Sequence, residues 1–194
     1  MAHIAISWIG AGAADDTLLE SVRAEAERVF SAPARLRHAD DRPPDAVDPR
    51  RQQHSAARIL AWLSAGKPEH AGKVLGVTDV DLFVPVLTFV YGDAELGAAA
   101  AVVSTARLLA PDSPACGGLA LRARLVKECV HELGHAFGLV HCTSSDCVMS
   151  RSVTLAQIDA KGNELCPDCR TRYHALRPRG RDHDGQGTHA RSHC

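Results

Sequence analysis

The sequence predicts a single folded unit of mixed α/β class, in which strands and helices alternate along the chain. Two observations carry this prediction. Segments with strand-like and helix-like hydrophobic patterns follow one another from the N-terminus, and no internal repeat is visible. The 194 residues are 45% hydrophobic and 23% charged, which allows one core and excludes a wholly disordered or low-complexity chain.

The individual elements follow from local patterns. Strand-like alternation begins near Ile4, and leucine and valine at helical spacing follow an acidic cap at Asp15 or Asp16. Three prolines make 39–49 a loop, and Gly66 marks the end of a second helix. The predicted strands are 2–9, 34–38, 74–78, 84–91 and 98–104, with a turn at 92–97 and a loop at 111–118; the predicted helices are 15–30, 50–65 and 119–137.

The charge balance and the cysteine count limit the classes of function. Lysine and arginine number 22 against 23 acidic residues, so the net charge of -1 argues against a broadly basic nucleic-acid binder. No apolar stretch reaches the roughly 18 residues of a membrane helix, and the start of the chain lacks the basic residues of an export signal. Seven cysteines, an odd number, fit poorly with a secreted disulfide framework, so we expect a cytoplasmic location.

The first motif that carries chemistry is His131-Glu132-x-x-His135-x-x-Gly138-x-x-His141. On the predicted helix, His131 and His135 lie about 40° apart around the axis, so both imidazoles can point at one metal ion. Gly138 allows the chain to turn and return His141 as a third ligand. Three protein ligands leave one position for water, as at a catalytic zinc ion, and Glu132 is placed to act as the general base. The other side of the helix is apolar and is expected to face the core: Leu125, Cys129, Leu133 and Ala136.

The second motif consists of two cysteine pairs, Cys142 with Cys147 and Cys166 with Cys169. Pair-plus-pair spacing is typical of a tetrahedral, closed zinc site with a structural role. The surrounding segment is short and has few apolar residues, so a metal ion would supply folding free energy that a small core cannot. Two disulfides and free thiols are the alternatives.

The histidine motif followed by Met149 resembles the zinc-binding motif and downstream methionine of the metzincin clan of zinc metallopeptidases. Within that clan the chain is similar to the archaemetzincin family, because Cys142-x4-Cys147-x-Met149 and then Cys166-x2-Cys169 follow the third histidine. The segments 79–83 and 89–92 are also similar to that family.

The resemblance covers most of residues 1–175 and implies one metzincin-like catalytic domain over 1–176 with a compact zincin fold. That fold has a twisted, mostly parallel sheet with an antiparallel edge strand, a backing helix and an active-site helix. An upper subdomain over 1–138 would carry the active-site helix. A lower subdomain over 139–176 would carry the cysteine zinc site and a tight turn in which Met149 lies below the catalytic metal. Residues 177–194, rich in arginine, glycine and histidine, are expected to be a disordered tail.

The leading functional hypothesis is a zinc-dependent metallopeptidase that hydrolyses peptide bonds with zinc-activated water and Glu132 as general base. We expect two zinc ions per chain, one catalytic and one structural. A non-catalytic zinc-binding interaction module and a zinc hydrolase of a non-peptide amide are the alternatives. We expect a peptide or protein substrate beside the strand at 84–91 or 98–104, no nucleic-acid or membrane partner, and a monomer. Aminopeptidase and endopeptidase activity are both left open.

Overall fold

The computed structural model describes residues 3–10, 12–13, 15–37, 43–109 and 117–177. The strands are β1 (His3–Trp8), β2 (Ala34–Arg37), β3 (Val47–Asp48), β4 (Gln53–Ser55), β5 (Ala71–Thr78), β6 (Leu82–Phe83), β7 (Gly92–Ala94) and β8 (Ala100–Ser104). The helices are α1 (Asp16–Phe30), α2 (Ala56–Ala65), α3 (Gly117–Ala136), α4 (Leu155–Ala160) and α5 (Pro167–Leu176), with a 3₁₀ turn at Pro44–Ala46. Within these ranges, no helix combines the length and the apolar character needed to cross a membrane.

A five-stranded sheet in the order β2-β1-β5-β8-β7 forms the centre of the fold. Its first four strands are parallel, and β7 pairs with β8 in the antiparallel direction at one edge. The strands β3, β4 and β6 form a separate small sheet. The predicted α/β class and the mostly parallel sheet with an antiparallel edge strand are therefore confirmed.

The two faces of the central sheet bury different helices, because successive side chains of a strand point to opposite faces. On β1, Ile4 and Ile6 belong to the core that contains α1 and α3, whereas Ala5 belongs to the core that contains α2. The predicted apolar face of α3 is buried as expected, with no exposed surface at Leu125 and Cys129. The helix α3 is thus fixed against the sheet through this face, and its other side is left to carry polar groups.

Two short helices, α4 and α5, follow α3 in regions where no helix was predicted. The helix α4 begins with a capping box between Thr154 and Gln157, and it buries Ile158. The helix α5 buries Tyr173, whose ring lies 5.3 Å from both Phe30 and Phe137 between centroids. Each helix buries one or two side chains, too few to produce a periodic apolar stripe in the sequence.

The strand predicted over 84–91 is wrong. This segment forms turns. Two of its backbone carbonyls accept hydrogen bonds from side chains, where in a sheet they would accept them from a neighbouring strand. Arg51 Nη2 donates to the carbonyl of Leu87 at 2.8 Å, and Gln53 Nε2 donates to the carbonyl of Thr88 at 2.9 Å. The antiparallel edge strand is β7, within the segment that the sequence predicted as a turn.

The other element boundaries agree more closely with the predictions. The second helix ends at Ala65 as expected but begins at Ala56, because 47–55 forms the short pairing of β3 with β4. Its start is capped by Ser55, whose side chain accepts a hydrogen bond from the backbone N–H of Arg58. The predictions for residues 38–42, for 110–116 and for the tail from residue 178 onward lie outside the described residues.

Removal of the Tyr173 hydroxyl tests the docking of α5. This hydroxyl donates to the carbonyl of Phe30 at 2.6 Å in a buried position. Tyr173→Phe keeps the ring but leaves that carbonyl without its donor, so we expect the free energy of unfolding to fall by about 1–2 kcal/mol in chemical denaturation. Tyr91→Phe is the control, because Tyr91 is 8% exposed against 1% for Tyr173. Equal losses in the two variants would contradict this account.

Candidate active site and metal centres

The helix α3 places His131 and His135 side by side, with their Nε2 atoms 3.1 Å apart. The Nδ1 of His131 lies 2.8 Å from the carbonyl of Val148. The Nδ1 of His135 lies 2.7 Å from the carbonyl of Leu139. Because a carbonyl oxygen can only accept, each Nδ1 carries the proton and donates it. The Nε2 lone pair of each ring is then left for a metal ion.

The chain reverses direction at Gly138, which has a φ of 97°. Glycine adopts this left-handed conformation at little cost, and here it ends the helix, with the N–H of Gly138 bonded to the carbonyl of His135 at 2.8 Å. The turn returns His141 to the other two rings, at centroid distances of 5.3 Å from His131 and 4.8 Å from His135. The ligand atoms of the three imidazoles lie within 4.8 Å of one another, so the group can hold a metal ion.

Burial favours the neutral form of the imidazoles. It lowers the pKa of His131 well below its usual value, and the nearby charge of Lys161 acts in the same direction. Burial also lowers the pKa of His135 and of His141. Neutral imidazole is the form that binds a metal ion, so this donor set fits zinc at neutral pH without loss of a proton.

Glu132 lies next to the imidazoles and is 7% exposed. Burial is the main reason that its pKa is raised well above the usual value, and the carboxylates of Glu128 and Asp93 add to the effect. Gly92 of β7 leaves room for this side chain, because a Cβ at position 92 would lie 2.7 Å from Glu132 Cγ. Glu132 is therefore held between α3 and the edge strand. A divalent cation at the imidazoles would favour its anionic form.

These side chains line a cavity of about 520 Å³. Its lining comes from three parts of the chain: residues 87–94 with Leu96, the polar side of α3 with His141, and residues 151–153. Arg151 is the single arginine or lysine among the lining residues, and Asp93, Glu128 and Glu132 are the acidic ones. The cavity therefore combines a strand edge with a row of potential metal ligands and a buried carboxylate.

Met149 is fully buried against α3, at the turn of helix between His131 and His135. A Cβ on Gly134 would collide with Met149 Sδ, so the absence of a side chain at position 134 allows this approach. The carbonyl of Met149 accepts a hydrogen bond from the N–H of Cys142 at 2.9 Å. The turn that carries Met149 is thus bonded to the residue that directly follows His141.

The four cysteines of the second motif lie together, with their sulfur atoms within 4.8 Å of one another. The Sγ atoms of Cys142 and Cys166 are 3.7 Å apart, well beyond the roughly 2.05 Å of a disulfide bond. All four are free thiols, as is Cys129 in the core. The spacing fits a metal ion and not the alternative of two disulfides. Cys116 and Cys194 lie outside the described residues.

The backbone near the cysteines is arranged to accept a charged sulfur. The N–H of Cys166 points at Cys147 Sγ at 3.4 Å, and the N–H of Ser144 points at Cys142 Sγ at 3.4 Å. The hydrogen bond from the Cys169 backbone is the main cause that lowers the pKa of Cys166. Burial raises the pKa of Cys147 and of Cys169, and a bound cation would reverse this by stabilising their thiolates. The donor set fits a closed tetrahedral zinc site.

The structure brings together the three histidines of the first motif and the four cysteines of the second. Four residues around them were not predicted from the sequence. Glu128 could have been found, because it precedes Glu132 by one helical turn and shares its face. Gly92, Asp93 and Lys161 gave no such signal, because they belong to segments distant in sequence.

Comparison with known proteins identifies the family that the chain resembles. A family model described as peptidase family M54 matches residues 51–175. The chain is similar to the archaemetzincin of Methanopyrus kandleri, with 46% identity over 119 residues. The aligned part covers 61% of this chain and 65% of that protein, slightly less than two thirds of its length.

The similarity extends to three-dimensional structure. The crystal structure of the M. kandleri archaemetzincin matches 90% of this chain and 95% of its own, with a TM-score of 0.78 and 31% identity. A zinc-dependent peptidase from Methanocorpusculum labreanum matches with a TM-score of 0.77 and 30% identity, over 88% of this chain and 99% of that one. Both support the compact zincin-like fold expected from the sequence.

Substitution of Gly134 tests the contact between α3 and Met149. Gly134→Ala forces a Cβ against Met149 Sδ, so we expect the free energy of unfolding to fall by about 1–3 kcal/mol, as for other overpacked cores. Gly118→Ala in the same helix has no atom within 4 Å of the new Cβ and should be neutral or slightly stabilising. Thermal unfolding of both variants measures the difference, and a stable Gly134→Ala protein would refute the proposed packing.

Proposed function

The chain belongs to peptidase family M54, and on that premise we propose that it is a zinc metallopeptidase that hydrolyses peptide bonds. The observation that carries the proposal is the buried carboxylate of Glu132 beside three imidazoles in one cleft. A non-catalytic zinc module would not need a carboxylate in this place. Nothing in the comparisons favours that alternative or a hydrolase of non-peptide amides.

His131 and His135 would hold the catalytic zinc ion through their Nε2 atoms, and His141 would supply a ring nitrogen as the third ligand. When bound, the ion supplies Lewis acidity toward the scissile carbonyl and makes water a stronger nucleophile at neutral pH. The backbone carbonyls of Val148 and Leu139 orient two of the rings by accepting their Nδ1 protons. Such outer hydrogen bonds fix the tautomer and the ring plane of a metal ligand.

Glu132 acts as the general base of the reaction. Its carboxylate takes a proton from the attacking water and returns it to the amine that leaves. Gly92 and the edge strand hold this carboxylate against the cleft. The roles of base and acid thus fall on one side chain, which the helix places one residue after the first imidazole ligand.

The substrate binds as an extended chain beside β7. This strand is the edge of the central sheet, pairs with β8 on its other side and lines the cleft. Backbone hydrogen bonds to a strand edge hold a peptide with little dependence on its side chains. The proposed substrate site is therefore beside β7, and not beside 84–91 or 98–104 as expected from the sequence.

Cys142, Cys147, Cys166 and Cys169 hold a second, structural zinc ion, so that each chain carries two. The four thiols, close together without a disulfide, also support a reducing, cytoplasmic location. We propose the division into an upper part over 1–138 and a lower part over 139–176, because the chain reverses at Gly138 between them. That the chain acts as a monomer stays a prediction.

Replacement of Glu132 tests the catalytic role. Glu132→Gln keeps the size of the side chain but removes the base, so we expect kcat for peptide cleavage to fall roughly 10²–10⁴-fold while zinc content is unchanged. Glu69→Gln, at an exposed glutamate away from the cleft, is the matched control. Cleavage is measured with a peptide library. Full activity of zinc-loaded Glu132→Gln would refute this mechanism.

Loss of the structural zinc ion should weaken catalysis. Cys166→Ser removes one of four thiolate ligands, so elemental analysis should find one zinc ion per chain instead of two, together with reduced cleavage. The physical link is His141. It directly precedes Cys142, whose N–H donates to the carbonyl of Met149. Cys129→Ala, at a core cysteine outside both sites, should keep both ions. Wild-type cleavage by a Cys166→Ser protein with one zinc ion would show that the two sites are independent.

A further inference from the structure

A buried ion pair lies beside the catalytic cleft and has no role in the mechanism described so far. Lys161 Nζ lies 2.7 Å from Glu128 Oε1, and the two side chains expose only 1% and 5% of their surface. Glu128 comes from α3 and lines the cleft, whereas Lys161 directly follows α4. The pair therefore joins the active-site helix to the chain beyond Met149.

Several other contacts also hold α4 against α3. Arg124 of α3 binds the Asp159 carboxylate with two nitrogens, each at 2.7 Å. Lys127 Nζ donates to the carbonyls of Ile158 and Asp159 at 2.9 Å each. The side chain of Ile158 adds a fully buried apolar contact. The two helices are thus held by contacts that do not reach the cleft.

A buried ion pair is also an unfavourable way to hold two elements together. Both charges lose their hydration, and apolar side chains of similar size stabilise such positions equally well or better. Removal of one partner leaves an unpaired charge that is costly to bury. Because other contacts already dock α4 on α3, a pair of this kind points to a role in the neighbouring site.

The position of the pair shows what that role is. Glu128 lies one helical turn before Glu132 on the same face of α3, where two unpaired carboxylates would repel each other. Lys161 Nζ also lies 3.5 Å from the carbonyl of Ser150, the residue after Met149. The preceding residue, Met149, accepts a hydrogen bond from the N–H of Cys142, which directly follows His141. Lys161 thus touches both of the segments that supply catalytic groups.

We propose that Glu128 and Lys161 are a positioning pair that sets the spacing between Glu132 on α3 and His141 on the returning chain. The ammonium group neutralises Glu128 and bridges to the turn at Ser150. Neither side chain reacts with the substrate. This inference rests on the proposed peptidase function for its kinetic part, but its effect on the histidine metal site can be measured without any substrate.

The test compares four proteins: wild type, Lys161→Met, the charge-free double variant Glu128→Gln/Lys161→Met, and Asp159→Asn. The last variant is the matched control, because it breaks the exposed ion pair between the same two helices. Cobalt(II) is the metal probe, since thiolate bands identify the cysteine site and leave the histidine site to be titrated separately against a chelator. Unfolding temperature, kcat and KM are measured in parallel.

We expect Lys161→Met to bind cobalt at the histidine site about 10–100-fold more weakly, the usual effect of losing an outer partner of a metal site. Its kcat should fall by a similar factor with little change in KM, while Asp159→Asn keeps both values. The double variant should recover unfolding temperature, because no charge is left unpaired, but not cobalt affinity or kcat. Should Lys161→Met fail to fold, the double variant alone decides the question.

Two results would overturn the positioning role. One is recovery of cobalt affinity and kcat together with unfolding temperature in the double variant, which would make the pair purely structural. The other is equal behaviour of Lys161→Met and Asp159→Asn. If the wild-type protein cleaves no peptide, the proposed function fails, and the cobalt titration still decides the role of the pair.

Discussion

The catalytic arrangement depends on the reversal of the chain at Gly138. A continuing helix would carry His141 away from His131 and His135, and the three rings could not share one ion. The left-handed conformation of Gly138 ends α3 and returns the chain across its own face. The returning backbone then supplies the carbonyls of Leu139 and Val148 that orient the two helical imidazoles. One backbone conformation thus brings the third imidazole to the other two and supplies the carbonyls that orient them.

The part of the chain after this reversal is short and adds only a few apolar side chains to the core. It also depends on specific contacts: Met149 against Gly134, Tyr173 against two phenylalanine rings, and the cysteine cluster. A metal ion in that cluster would supply folding free energy that a small core cannot. Because the same segment carries His141, we expect the stability of the proposed structural site and the geometry of the proposed catalytic site to be linked.

Prediction from the sequence succeeded where the determining contacts are local. The ends of α1, the apolar face of α3 and the turn at Gly138 depend on residues within a few positions of one another. Prediction failed for 84–91, because Arg51 and Gln53, more than thirty residues away, bond its backbone in place of a strand. It also missed α4 and α5, whose few buried side chains contact α1 and α3 instead of forming a periodic stripe.

The sequence by itself identified the groups of the candidate sites: two imidazoles and a carboxylate at helical spacing, a glycine that ends the helix before a third imidazole, and two cysteine pairs. These groups can be recognised in the sequence because helical periodicity and metal-ligand spacing are properties of short segments. Only the tertiary structure decided that β7 is the edge beside the cleft, that Gly92 makes room for Glu132, and that Lys161 meets Glu128. The physical reason is that such contacts join segments far apart in the chain, and burial and charge compensation there exist only once the core has formed.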